Sequence, residues 1–383
     1  MPLKLSTFRD IREIGIDDWA SVSGQGSAFS GYHWLAYVQT HRDAEASYLV
    51  AQQRRTTIAA LPTYFFADEV PRYYDPHWLL RDQWQGKRRP VLLGGCREGY
   101  LTDILANDAT PDDERSAAVS AIVEEIRRRR AEVDAVAAIL YLPDTAMERL
   151  GSALKPTDRR FVVDAEAIVT VPDGGLRSHV DSLPRKRRAS VRHDMERFAR
   201  SGCRLEVATL TDCYQKIGRL SAALLDRYGR VVDPVEEVER FRRQAENTVG
   251  MNRVFCAYLG DEMVGFAHFV RSRDVLYARS VGFDYTVARE AALYFNLTYY
   301  AAIDFAAENG VRSINYGCDS FQTKVFKGAK LHPLWAVVLD ADQSGFDRID
   351  YAVAEQRVLG PIRDLDESVI TETVKEWSPG TWT

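Results

Sequence analysis

Between Lys324 and Lys330 the chain reads Lys-Val-Phe-Lys-Gly-Ala-Lys, a basic turn that sets two cations, Lys324 and Lys327, beside a glycine. Upstream, Arg279 interrupts the mostly apolar run Tyr277–Tyr285. An unpaired charge there would be costly, so a carboxylate or phosphate partner is expected for it. Asp284 lies at the end of that run. It could hold an ammonium or accept its proton, or it could cap the following helix ahead of Thr286 and Val287. Glu290 could pair with Arg279 or act as a base, although a glutamate in a first turn usually serves the helix dipole. Tyr285, Tyr294, Asn296 and Tyr316, with Tyr299 and Tyr300, are candidates for a substrate pocket; such residues also serve as core with one polar tip satisfied. His268 alternates within a strand and reads as a packed imidazole. No Ser-His-Asp or Cys-His arrangement has the surrounding motif that a covalent hydrolase needs. No Asp/Glu/His spacing suggests a metal. The five cysteines are scattered and odd in number, which speaks against both zinc and disulfides.

These residues need elements to position them. A chain of 383 residues is long for one core, so two domains are expected, 1–172 and 173–383. Its composition, 46% hydrophobic and 27% charged, is that of an ordinary globular protein, and the net charge of −5 offers no global attraction to nucleic acid. No apolar run approaches the roughly 20 residues of a membrane helix, and the N-terminus lacks a signal-peptide core, so a cytoplasmic protein with no membrane partner is expected. In the first half, Tyr48–Gln52 and Ile58–Phe66 read as strands, 112–131 as a helix with Ala118, Ile122 and Ile126 on one face, and Ala137–Leu142 as a strand. The aromatic loop Tyr73–Trp78 and the stretch from Trp84 through Arg89 could form a substrate wall in the first domain. After Ala167–Val171, the turn Pro172-Asp-Gly-Gly175 marks the boundary. The second half repeats the grammar: a basic helical region at 177–201, helices near 211–229 and 235–249, a hairpin at 254–270 and a strand at 274–285. A helix follows to Asn309-Gly310, with Ala292, Phe295, Tyr299, Ile303 and Ala306 on its apolar face, and then the strand Val311–Gly317. The class is α/β (α+β), with two similar mixed, mostly antiparallel sheets flanked by helices.

The basic region holds Arg185, Lys186, Arg187, Arg188 and Arg192, followed by Arg197 and Arg200, and is relieved by Asp194 and Glu196. Val191, Met195 and Phe198 would anchor it on one stripe. The cationic faces suit an RNA backbone. Alternatively they are a solvated surface paired to Glu236, Glu237 and Glu239.

The order strand, helix, strand and Lys-Gly turn over 277–335 resembles the heart of the GNAT superfamily of acyltransferases. The detail resembles its Fem-like branch, which includes tRNA-dependent aminoacyltransferases, here of the type found in natural-product pathways. The resemblance rests on Leu183-Pro-Arg-Lys-Arg-Arg-Ala-Ser-Val-Arg192, Gly265-Phe266, Arg279 through Tyr285, Tyr294 through Tyr300, and Asn315-Tyr-Gly with Lys324-Val-Phe-Lys-Gly328. It implies two tandem GNAT-like domains. It also implies a lysine that stabilises charge at the reacting ester, carried onto Lys324, with Lys327 second. Acyl-CoA members use an Arg/Gln-x-x-Gly-x-Gly/Ala loop whose amides close on a pyrophosphate. The corresponding stretch, Asp284-Tyr-Thr-Val-Ala-Arg-Glu-Ala291, has no glycine. The expected donor is therefore aminoacyl-tRNA, with tRNA and a small-molecule acceptor as partners and no cofactor. Two alternatives stand beside it: an acyl-CoA or acetyl-CoA enzyme with a degenerate loop, and a non-catalytic RNA- or glycan-binding protein.

Overall fold

The computed structural model describes residues 2–84 and 86–365. The chain divides into two compact units, Met1–Ala165 with the segment from His332 onward, and Glu166–Leu331.

In the first unit the strands β1 (Lys4–Phe8), β2 (Glu45–Gln53) and β3 (Thr56–Phe66) form an antiparallel meander. β4 (Val91–Gly94) continues it antiparallel, and the short β5 (Leu105–Ala106) also pairs with β3. β4 then lies parallel to β6 (Val136–Leu142). A parallel neighbour requires a crossover, and helix α1 (Asp112–Glu132) supplies it. Ala118, Ile122 and Ile126 are buried on its inner face, as their spacing predicts. The arginine run that ends α1 is divided between core and surface. Arg127 is buried between Asp158, at 2.5 Å, and Asp340, at 2.7 Å, whereas Arg128 and Arg129 pair with Glu125. Residues of both aromatic stretches are used in packing: Trp84 stacks on Phe346 at 4.4 Å, with the His77 ring edge-on to both.

The strand β7 (Arg159–Thr170) leads into the second unit. There α2 (Arg185–Arg200), β8 (Arg204–Ala208), α3 (Leu210–Arg227) and α4 (Pro234–Asn247) precede a second antiparallel series. It consists of β9 (Asn252–Leu259), β10 (Glu262–Ser272) and β11 (Val275–Phe283), with β8 on its edge. β11 is parallel to β12 (Ser313–Asn315), and the end of β7 closes this sheet antiparallel to β12. The two units thus share one grammar: antiparallel strands, a helical crossover to a parallel strand, and an antiparallel strand after it. The expected mixed, mostly antiparallel α+β class flanked by helices holds, but the two expected sheets are stretches of one continuous sheet.

The domain limits depart from 1–172 and 173–383. The final strand, β13 (Lys330–Leu339), pairs with β6, placing Trp335 against Leu142 and Val337 against Ile139. The segment after Leu331 therefore completes the first sheet, just as the end of β7 completes the second. No local pattern announces which sheet a strand will join.

The crossover of the second unit also departs from one continuous helix. The short α5 (Tyr285–Ala288) ends quickly, Ala292 takes a left-handed φ of 51°, and a new helix starts at Leu293. It passes through a π-turn at Asn296–Tyr300 before settling into α6 (Ala301–Glu308). Ala292, Tyr299, Ile303 and Ala306 are buried, in keeping with their spacing. The basic region 177–201 is likewise two helices, Gly175–Ser182 and α2, with Pro184 at the N-cap of α2.

Candidate functional site

A cavity of about 520 Å³ lies within the second unit, where β10, β11, α3, the π-turn and the turn 316–320 converge. Five of the expected site residues line it: Arg279, Tyr294, Tyr299, Tyr316 and Lys324. Arg279 reaches it because of a β-bulge. His268 pairs with Ser280 and Phe269 with Ala278, leaving Arg279 as the extra residue of β11. A bulge of this kind bends the strand and re-aims a side chain. His268 sits at the same irregularity, fully buried, with Nε2 2.8 Å from Asn252 Oδ1 and Nδ1 3.4 Å from the Ser280 hydroxyl. The Asn252 contact assigns the proton to Nε2. Burial, then the charges of Arg279 and Arg240, push this imidazole down to about 3. It is a packed neutral ring.

Lys324 is buried in α7 (Phe321–Phe326), and its Nζ donates to the carbonyls of Gly317, at 3.0 Å, and Cys318, at 2.5 Å. The turn that offers those carbonyls is tightly folded, with Gly317, Asp319 and Ser320 all at positive φ. Such angles are rare for residues with side chains. Asn315 holds the turn from below: it donates to Glu166, and its Oδ1 accepts from the Gly317 amide at 2.8 Å. The chain Glu166–Asn315–Gly317 thereby fixes where the Lys324 ammonium stands.

Lys327 belongs to a different environment. Its Nζ lies 2.9 Å from Asp194 Oδ2, donates to the Tyr300 hydroxyl at 2.6 Å, and stands 4.1 Å from the centre of the Phe295 ring. Tyr300 in turn donates to Asp194 at 2.7 Å. Burial draws the ammonium below the ordinary lysine value, and Asp194 partly restores it. Asn296 joins this group by donating to the Asp194 carbonyl at 3.0 Å. Neither Lys327 nor Asn296 lines the cavity; both tie α2 to the crossover helix. Asp194, which as an acid in a basic helix would be expected at the surface, is buried, and Met195 is exposed instead. The buried stripe of α2 therefore runs one residue earlier than its apolar residues suggest.

Asp284 is the N-cap of α5. Its Oδ1 accepts from the Thr286 amide at 2.9 Å and the Thr286 hydroxyl at 2.7 Å, and its carbonyl accepts from the amides of Val287 and Ala288. The amides that would face a pyrophosphate are thus turned onto Asp284 itself. Beside this turn a second hollow of about 660 Å³ is lined by Arg197, Arg227, Arg289 and Tyr285, and it shares Tyr294 and Ser320 with the first. Tyr285 is exposed beneath the Arg227 guanidinium, 4.1 Å from the ring centre. The Glu290 side chain is exposed, while its carbonyl accepts from Arg197 at 3.0 Å.

On α2, Arg185, Lys186 and Arg192 are exposed. Arg187 donates to the Val325 carbonyl and Arg188 to those of Asp181 and Leu183. Two of the acids that could have paired with this helix bind elsewhere: Glu237 pairs with Arg240, and Glu239 with Arg242 and Arg243.

Residues 185–327, which hold both hollows and both lysines, match the acetyltransferase (GNAT) domain family. The resemblance drawn from the residues is borne out at that level, and its Fem-like shape is seen in solved structures. FemX aligns with a TM-score of 0.57 at 10% identity, over 91% of this chain and 100% of its own. A conserved protein of unknown function from Bacteroides thetaiotaomicron aligns at 0.55 and 11% identity, over 88% and 99%. L-PGS from Bacillus licheniformis aligns at 0.50 and 13%, over 87% and 95%. No curated protein sequence matches the chain. Among the described residues, no helix is long and apolar enough to cross a membrane. Residues 185–327 therefore match an acetyltransferase (GNAT) domain, within a chain whose fold is shared with these solved structures.

Proposed function

We propose that this protein transfers an aminoacyl group from aminoacyl-tRNA to the amine of a small molecule, as part of a biosynthetic pathway. The amine nitrogen attacks the ester carbonyl carbon, the C–N bond forms, and the ester C–O bond breaks. The tRNA hydroxyl leaves with a proton, and one proton is lost from nitrogen. Lys324, held in place by the carbonyls of Gly317 and Cys318, stands to stabilise the oxyanion that develops in between. An ester is already activated, so positioning and charge stabilisation suffice, with no cofactor. The observation that carries this reading is the Asp284 turn. Its carboxylate and carbonyl occupy the amides that a nucleotide thioester would need, and a carboxylate there repels a diphosphate. The exposed cations Arg185, Lys186 and Arg192 supply a footing for an RNA backbone.

The test is incubation with a mixture of charged tRNAs and amine acceptors, following which amino acid is discharged and whether RNase abolishes product. The triple charge reversal R185E/K186E/R192E should weaken tRNA binding and reduce its salt slope by about one for each phosphate no longer neutralised, with little change in turnover at saturating tRNA. Discharge of no amino acid overturns the proposal. A second reading, transfer from an acyl-CoA, is favoured by the acetyltransferase family match; it predicts acetyl-CoA turnover without RNA.

A further inference from the structure

Ser221 of α3 and Ser280 of β11 both line the 520 Å³ cavity. They belong to facing elements. A Cβ at Gly282 would stand 2.9 Å from the main chain of Leu220, so this face of β11 packs directly on α3. Ser280, two residues earlier in the strand, shares that face.

The direction of each hydroxyl is set from behind the cavity wall. The Asn252 amide nitrogen lies 2.8 Å from both the carbonyl and the hydroxyl of Thr248. A carbonyl only accepts, so Asn252 must turn its Oδ1 toward His268, which donates to it from Nε2 at 2.8 Å. The neutral imidazole then offers a lone pair at Nδ1, and the Ser280 hydroxyl, 3.4 Å away, donates to it. Ser221 is directed by a carboxylate instead, donating to Glu237 at 2.6 Å. Burial works against ionisation of Glu237, but the Arg240 guanidinium, at 2.6 and 2.9 Å, holds it below the usual carboxylate value. An ionised carboxylate only accepts. Both serine protons are therefore committed away from the cavity, and the two oxygens have lone pairs left to offer.

We infer that Ser221 and Ser280 seat the nitrogen of a primary amine, each oxygen accepting one of its N–H bonds. A neutral primary amine has two N–H groups and one lone pair. With both N–H groups engaged, the lone pair is held in one direction, and fixing that direction against an ester is what positioning supplies to the reaction. The inference rests on the transferase reading for what the amine then does. Binding is measured without any donor, so the two can fail separately.

The test uses the full chain and calorimetric titration with n-butylamine and 2-phenylethylamine, each paired with its N,N-dimethyl derivative. The members of a pair have nearly the same charge and differ in their N–H groups. The primary amine is expected to bind at least about 10-fold more tightly than its dimethyl derivative, as two modest hydrogen bonds would give. Ser280→Ala and Ser221→Ala should each reduce that ratio to a few-fold, and the double substitution should bring it to about one. Ser280→Ala is the milder variant, because this serine is only half-buried. A serine with a purely structural role would shift Tm and leave the ratio where it was. Equal affinity for the paired amines, no binding of either primary amine, or a ratio unchanged by Ser280→Ala would overturn the inference.

Discussion

Lys324 and Lys327 stand one turn apart at the same short helix, and both are buried, yet the protein treats them in opposite ways. Lys327 is matched to the carboxylate of Asp194 and to Tyr300, inside a group that fastens the basic helix to the crossover. Lys324 is held by two neutral main-chain carbonyls at the edge of a cavity. The two lysines thus serve different surroundings, one the joint between two helices and the other the cavity wall, and in the proposed reaction the Lys324 ammonium would meet the developing oxyanion.

The comparison can be broken at several points. Lys327→Ala should have the largest effect, because it leaves Asp194 buried without its cation; a loss of about 3–5 kcal/mol in urea unfolding is expected. Lys324→Ala should instead lower kcat by about 10²- to 10³-fold, with tRNA affinity little changed. If the two variants lose stability and turnover in the same proportion, the division of roles fails.

A third test concerns the cavity wall beside Lys324. The folded protein keeps His268 neutral down to about pH 3, whereas an unfolded imidazole takes up its proton near 6.5. Since the unfolded state binds more protons across that window, stability should be constant above pH 6.5. It should then decline as pH falls toward 3, by on the order of 1 kcal/mol per pH unit from this group. Unfolding curves at pH 7.5, 6 and 5 would show the slope, and His268→Gln should flatten it.

The smallest effect is expected at Asp284, which serves backbone amides rather than either lysine. Asp284→Ala should cost about 1 kcal/mol in thermal unfolding through loss of the cap. Turnover falling as far as in the Lys324 variant would place Asp284 among the reacting groups and redraw the comparison.

Much of the second unit is legible in the residues themselves. The hairpin around Gly260-Asp261, the apolar run of β11 and the buried face of the crossover helix follow from alternation and helical spacing, because those periods are properties of the chain itself. The residues lead one to expect a partner for Arg279, but the bulge that makes it the odd residue of its strand depends on how β10 pairs with β11. Asp194 is not legible in this way. Its neighbours Val191 and Phe198 point to a buried stripe, but an acid within a basic helix reads as surface until a lysine arrives from more than a hundred residues away. Asn315, which sets the Gly317 turn, gives no signal beyond its place in a motif.

From residue types and periods alone follow the α+β class, the repeated grammar of the two halves, the lack of a glycine loop after Phe283 and the presence of two lysines near Gly328. Those features are local, and local backbone preference and side-chain chemistry are enough to specify them. Which lysine faces the cavity, where β7 and β13 pair, and that Asp284 turns the nearby amides onto itself were decided by tertiary structure. Each depends on groups distant in sequence, or on a backbone path that only packing imposes, and a charge acquires its role from whatever folding sets beside it.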